Sequence, residues 1–279
     1  MCAVSKHFVL AALVAIAAMS IDSAPGLADD AKESDRIAAA IGRMRDEVST
    51  LKVTIERDGE PVLAQLKTDP ILRYTDPERD FPDATMWVWS VDGRPVVFSK
   101  LERFSENSKS YWQYCVTNVH ESRVQVRWAN GTRWRSTAAA LQFKPLPETS
   151  PPKETAPLRL AQLRVAARQF RATSTNHEGQ TEQLRPLSQP LLRYSNVEQS
   201  LSDGAVFAYA ANGTNPDGLL LIQVRLPNTS TTPVWEYGCL GVTADAIAFE
   251  LTGENVFRHP GAKTQGDHGF WYWVVFPDP

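Results

Sequence analysis

Beyond residue 28 the chain carries four histidines, His120, His177, His259 and His268. No two stand at the spacing that sets a pair of imidazoles on one helix face, so no metal site is expected. His268 beside Asp267 is the best acid–base candidate, since a neighbouring carboxylate raises a histidine's pKa. Adjacent strand residues face opposite ways, which weakens that pairing. Carboxylates offer a second chemistry, because a glycosidase-type dyad needs only two acids facing one cavity. Glu78 with Glu198 and Asp83 with Asp203 are the recurrent acids. Aromatic stacking of sugars or peptides is the third chemistry. Its candidates are Trp87, Trp89, Trp112 and Trp235, with Arg73 and Arg193 as recurrent cations. Trp87 and Trp89 match Phe207 and Tyr209 in the second half, and such volume-preserving exchange also suits core packing. The chain has no nucleophile elbow, phosphate-binding glycine loop or dinucleotide fingerprint. No catalytic residue and no cofactor are therefore assigned.

These side chains sit in a sequence that repeats. Pro70-Ile71-Leu72-Arg73-Tyr74 returns at an offset of 120 as Pro190-Leu191-Leu192-Arg193-Tyr194. At the same offset Gly59 meets Gly179, Glu78 meets Glu198 and Asp83 meets Asp203. After an insertion near residues 212–216 the offset becomes 123, and Trp112 and Tyr114 meet Trp235 and Tyr237. A repeat of this length marks one structural unit that must pack twice. Ile37, Ile41, Met44 and Val48 predict a helix opening the first unit, and Leu160, Leu163, Ala167 and Phe170 one opening the second. Alternating strands with Asp-Gly and Asn-Gly turns follow. The expected fold class is α+β: two tandem similar units, each an N-terminal helix on a meandering antiparallel sheet. The units are 29–144 and 158–279, the second with an extra C-terminal strand over Phe270–Phe276. A proline-rich linker, 145–157, lies between them. Met86–Trp89 and Leu219–Ile222 are apolar on both faces, so each must be covered on both sides, one side by the other unit, a long loop or a ligand. Arg73 with Glu78 and Arg193 with Glu198 are expected to pair.

Residues 1–28 read as a secretory signal: Lys6, then an apolar run from Phe8 to Met19, then Gly26-Leu27-Ala28. Export to a periplasmic or extracellular space is expected, with no membrane span after cleavage. A net charge of −3 argues against nucleic acid as a partner. Arg123, Arg127, Arg133 and Arg135 are local to one hairpin and read as a solvated strand face. Cys115 and Cys239 alternate oppositely against their aromatic neighbours, so they are expected to be buried and unpaired.

The stretches Leu187–Tyr194, Asp203–Tyr209, Leu219–Ile222 and Trp235-Glu236-Tyr237, with the junction Phe143–Pro147 and the helix at Leu160–Arg164, carry a likeness. They resemble a group of uncharacterised exported proteins of planctomycete bacteria, most closely over 143–240. That resemblance implies export and the two-unit layout, and no catalytic residue. The functional expectation is an exported, non-catalytic binding or scaffolding protein of the cell envelope, with a protein or glycan partner. One alternative is an envelope hydrolase with a carboxylate pair in a cleft between the units. The other is an assembly component without a small-molecule ligand.

Overall fold

The computed structural model describes residues 25–137, 141–147, 149–196, 198, 200–227 and 232–278. Most of the expected signal segment lies outside the described residues. The chain divides into two compact units at Ala39/Ala40. In the first, residues 25–39 are the opening part of helix α1 (Pro25–Ser49). All else belongs to the second.

After α1 come β1 (Lys52–Arg57), β2 (Glu60–Leu63), β3 (Gln65–Leu66), β4 (Leu72–Asp76), β5 (Phe81–Val91), β6 (Arg94–Glu106), β7 (Lys109–Asn118), β8 (Val124–Arg127) and β9 (Arg133–Arg135). Then follow β10 (Lys144–Pro145), helix α2 (Ala156–Ala167), β11 (Phe170–Thr175), β12 (Thr181–Pro186), β13 (Leu192–Asn196), β14 (Leu201–Ala210), β15 (Gly218–Arg225), β16 (Val234–Gly241), β17 (Ala246–Leu251) and β18 (Glu254–His259). The chain closes with β19 (Gly266–Asp267) and β20 (Trp271–Pro277). Strands hold 53% of the chain and helices 14%, which overturns the expected α+β class: the protein is mostly β. The reason is visible at the helices. α2 gives only Leu163, Ala166 and Ala167 to its core, and α1 gives Met44 and Val48 to another. Strands cover strands for the rest. Phe170, expected at the end of a helix, opens β11, where burial alternates along Phe170–Thr175.

Three antiparallel sheets result. One has the order β2-β1-β8-β9, one β19-β20-β7-β6-β5-β3 with β4 also on β5, and one β10-β16-β15-β14-β12-β11-β17-β18 with β13 also on β14. The last strand, β20, returns to β7, and β10, at the start of the proline-rich stretch, pairs with β16. Registers recur at the sequence offset. Tyr74 faces Ala84 with a bulge before Asp76, and Tyr194 faces Gly204 with a bulge before Asn196.

The two-faced strands explain three cores. Trp87 and Trp89 point into one with Met44, Val48, Val53 and Val126. Phe207, Tyr209, Leu220 and Ile222 point into a second with α2, β11 and β17. The opposite faces, Met86 and Val88 on one sheet and Val206, Ala208, Leu219 and Leu221 on the other, meet in a third. Covering both faces of each central sheet removes large aliphatic side chains from water, about 1.5–3 kcal/mol for each one fully buried. Contacts across this third core are reciprocal. A Cβ on Gly93 would lie 2.6 Å from the Ser195 carbonyl oxygen, and one on Gly213, at the matching place 120 residues on, would lie 3.6 Å from the Thr75 carbonyl oxygen. Both glycines have positive φ, which L side chains rarely adopt. Paired contacts of this form are those of an isologous interface.

Candidate functional site

An open cleft of about 510 Å³ lies at one end of the interface between the first region (β1–β9) and the second (β11–β18). β1 places Glu56 and Arg57 there, β6 places Arg94, and the loop after β7 places His120, Glu121 and Ser122. The second region answers with Glu198, Ser200, Gln223 and Arg225.

The loop is held by its own side chains. Asn118, fully buried, accepts from the His120 backbone N–H at 2.8 Å and donates to the Ser122 carbonyl at 3.2 Å and the Ser136 hydroxyl at 3.0 Å. The Ser122 N–H donates to His120 Nδ1 at 3.0 Å. That nitrogen is therefore unprotonated and Nε2 carries the proton, 3.5 Å from the Glu121 carboxylate. Burial holds His120 below histidine's ordinary pKa in spite of Glu121. Both ring nitrogens are committed, which leaves no lone pair to take a substrate proton. Burial alone would raise the Glu121 carboxyl, but Arg94, 2.8 Å away, outweighs it and holds the carboxyl below its ordinary value. Arg94 also lies over the Phe143 ring, 5.9 Å from its centroid. Arg57 pairs with Asp92 at 2.8 Å and Glu56 with Arg135 at 2.9 Å. Buried Gln223 accepts from the Tyr194 hydroxyl at 3.2 Å and donates to Glu236 at 3.0 Å. Three arginines and three glutamates thus line one cleft, and Glu56, Arg57, Arg94 and Glu121 among them are held in ion pairs.

The other end of the interface is built at matching positions but filled. Glu102, 1% exposed, accepts from the Tyr74 hydroxyl at 2.7 Å and from Gln113 at 2.6 Å, and lies 3.2 Å from the Lys100 ammonium. Lys100 also donates to the Pro216 carbonyl at 3.2 Å. Arg79 crosses to Asp217 at 2.9 Å, with Asp76 at 3.5 Å and Asp245 at 3.6 Å. Burial pushes the Cys115 thiol up to about 12 and the Cys239 thiol up as well, so neither is a reactive thiolate. Both cysteines are free and buried.

The expected binding residues lie elsewhere. Trp87, Trp89 and Trp112 are inside the first core, at 0%, 1% and 4% exposure, with no ring face open to a ligand. Trp235 is buried too, its indole N–H donating to the Ser150 carbonyl at 3.0 Å. The recurrent arginines do not pair with the recurrent glutamates, which corrects that expectation. Arg73 binds Asp83 at 2.5 Å, and Arg193 binds Asp203 through Nε at 3.1 Å and through Nη2. The reason is register: Arg73 faces Thr85, two residues from Asp83 on the same strand face, while Glu78 sits on the turn between the strands. Asp203 also accepts from Arg159 of α2 at 2.8 Å, so it ties helix to sheet. Asp267 accepts from the Trp134 indole at 3.0 Å and the Gly269 N–H at 2.8 Å, and His268 meets the Thr264 carbonyl, so these two neighbours form no acid–base pair.

The cleft residues Arg57, Arg94 and Arg225 were not singled out by the sequence, and His120 was offered only as one of four histidines. Several fall where the repeats differ: at offset 123, His120 and Glu121 become Thr243 and Ala244. No family model, no curated protein and no solved structure matches this chain.

Proposed function

We propose that this is an exported, non-catalytic binding protein that takes a small ligand carrying charges of both signs into the cleft lined by Arg57, Arg94, Arg225, Glu121 and Glu198. The observation that supports it most is that cleft: about 510 Å³, open, and lined by three arginines and three glutamates, while its His120 spends Nδ1 on the Ser122 N–H. The size falls within the usual range for small-molecule sites. The hydrolase alternative finds little support. Its best buried carboxylate, Glu102, spends both oxygens on Tyr74, Gln113 and Lys100. The signal-like residues 1–28 support export, and the reciprocal contacts at Gly93 and Gly213 support reading the regions as two copies of one β block.

The test is a thermal-shift and calorimetric screen of the chain lacking residues 1–28 against dipeptides, amino acids, dicarboxylates and diamines. A ligand at 100 times its Kd stabilises the native form by about 2.7 kcal/mol. A zwitterion should raise Tm, and Arg94→Gln should remove the rise. If only singly charged or neutral compounds shift Tm, the reading fails.

A further inference from the structure

The filled end of the interface opens outward onto a groove, and the groove carries chemistry of another kind. A cavity of about 220 Å³ beside Glu102 and a groove of about 610 Å³ share Ala244, Asp245 and Trp273 in their walls. This groove is the structural counterpart of the charged cleft. At offset 120, Glu56 and Arg57 become Asn176 and His177, and at offset 123, His120 and Glu121 become Thr243 and Ala244. Two acids and an arginine give way to an amide, a methyl and an imidazole, Ser122 gives way to Asp245, and β20 adds an indole.

Two polar atoms have no partner among the described residues, one on Asn215 in the cavity and one on Trp273 in the wall that cavity and groove share. Asn215 is 1% exposed; its amide N–H donates to Asp76 at 2.7 Å, but its Oδ1 accepts nothing. The Trp273 indole N–H is buried and donates to nothing. Orphaned buried groups cost roughly 1–3 kcal/mol each, so the site is set up to accept a donor and supply one. The formal charges around it nearly cancel: Asp245, Asp217, Asp76 and Glu102 against Arg79, Lys100 and Lys263. Asp245 is already 3.6 Å from Arg79, so a cationic ligand would compete with a guanidinium for it.

We propose that the groove at Trp273 binds a neutral saccharide. A pyranose ring offers an apolar C–H face to an indole and hydroxyls that both donate and accept, which suits the unpaired Trp273 N–H at the groove wall and, where the groove adjoins the cavity, the unpaired Asn215 oxygen. Asp245 and Asn176 supply further polar contacts at the groove wall. This site is independent of the charged cleft and of the reading given to it.

The experiment is saturation-transfer NMR on the chain from residue 29 onward with glucose, N-acetylglucosamine, maltose and cellobiose, and with tetramethylammonium as the cationic control. The expected result is transfer to sugar ring C–H protons for at least one sugar and none to the cation. Trp273→Phe keeps an aromatic ring and removes the N–H, and should weaken binding roughly five- to tenfold. Should that variant fail to fold, Asp245→Asn at the groove wall replaces it and should weaken binding at least threefold. Arg94→Gln, in the other cleft, should leave sugar binding unchanged. The proposal is overturned by no transfer to any of the four sugars, by transfer to tetramethylammonium instead, or by binding lost in Arg94→Gln but kept in Trp273→Phe.

Discussion

The two ends of the interface use one backbone register to opposite effect. In β6–β7, Glu102 faces Gln113, and Tyr74 donates to the glutamate. In β15–β16, Gln223 faces Glu236, and Tyr194 donates to the glutamine. Acid and amide have exchanged strands. The neighbour on the same face of the inner strand explains why. Lys100, paired with Met86, stands where the second region has Leu221, paired with Val206. A carboxylate can lie almost wholly buried only beside a cation. Where leucine replaces the lysine, the buried place goes to an uncharged amide, and the acid moves to Glu236, within reach of Arg225 at 3.9 Å. A buried counter-ion thus separates a locked joint from an open cleft.

Removing that counter-ion is the hardest blow the comparison allows. Lys100→Met leaves Glu102 buried with two neutral donors and no cation, which should cost about 3–5 kcal/mol in urea unfolding. Adding Glu102→Gln copies the second region's amide and should recover most of the loss. A single variant as stable as the parent would break the account. The next effect in size is steric. A Cβ at Gly204 would lie 2.5 Å from the Tyr194 ring, whereas the first region accommodates Ala84 opposite Tyr74. Gly204→Ala should therefore cost about 1–3 kcal/mol. Ala84→Gly should cost about 1 kcal/mol at most, from backbone entropy. Equal losses would mean that the two tyrosines sit alike after all. Asp203 sharpens the comparison further. It holds Arg193 and Arg159 at once, so Asp203→Asn should lower stability by about 1–3 kcal/mol. Glu198→Gln, on the turn beside the cleft, should leave Tm unchanged. A drop in Tm for Glu198→Gln equal to that for Asp203→Asn would restore the arginine–glutamate pairing.

Much of the scaffold was legible because packing repeats. The two-faced apolar strands called for cover on both faces of each central sheet by the other unit, a long loop or a ligand, and the third core supplies it from the facing sheet. The extra final strand was readable over Phe270–Phe276, but its pairing with β7 in the first region's sheet was not. The class was misjudged because amphipathic spacing marks a helix without saying how much of the sheet that helix can cover. Two short apolar stripes leave most of both sheets to be covered by other strands. The sites were illegible for a related reason. Recurrent residues such as Arg73, Arg193 and the tryptophans turned out to hold the scaffold. The cleft and groove are lined where the copies part company, at Arg57 against His177 and His120 against Thr243.

That divergence sets the smallest expected effect, the part of the pH dependence that belongs to His120 of the cleft. Burial holds His120 below the ordinary value of 6.5, with Glu121, Arg94 and Arg57 facing it. Between its folded and unfolded pKa the unfolded chain binds more protons, so stability rises with pH there. The contribution is complete above pH 6.5 and is lost as pH falls through the window below it. Glu121, held below 4.5, loses its own contribution only under that value, so the two are separable. His259, also lowered by burial, sends a similar signal from β18. His120→Thr copies Thr243 from the other end, and a threonine has nothing to titrate. Comparing urea midpoints at pH 7.5 and 5.5, the parent should lose more stability than His120→Thr on acidification. What remains in the variant belongs to His259, and His259→Phe should remove it. If parent and His120→Thr lose equal stability, the folded and unfolded chains hold the His120 proton alike, and burial does not lower its pKa. The Ser122 contact, which favours the neutral ring, would then contribute nothing in solution.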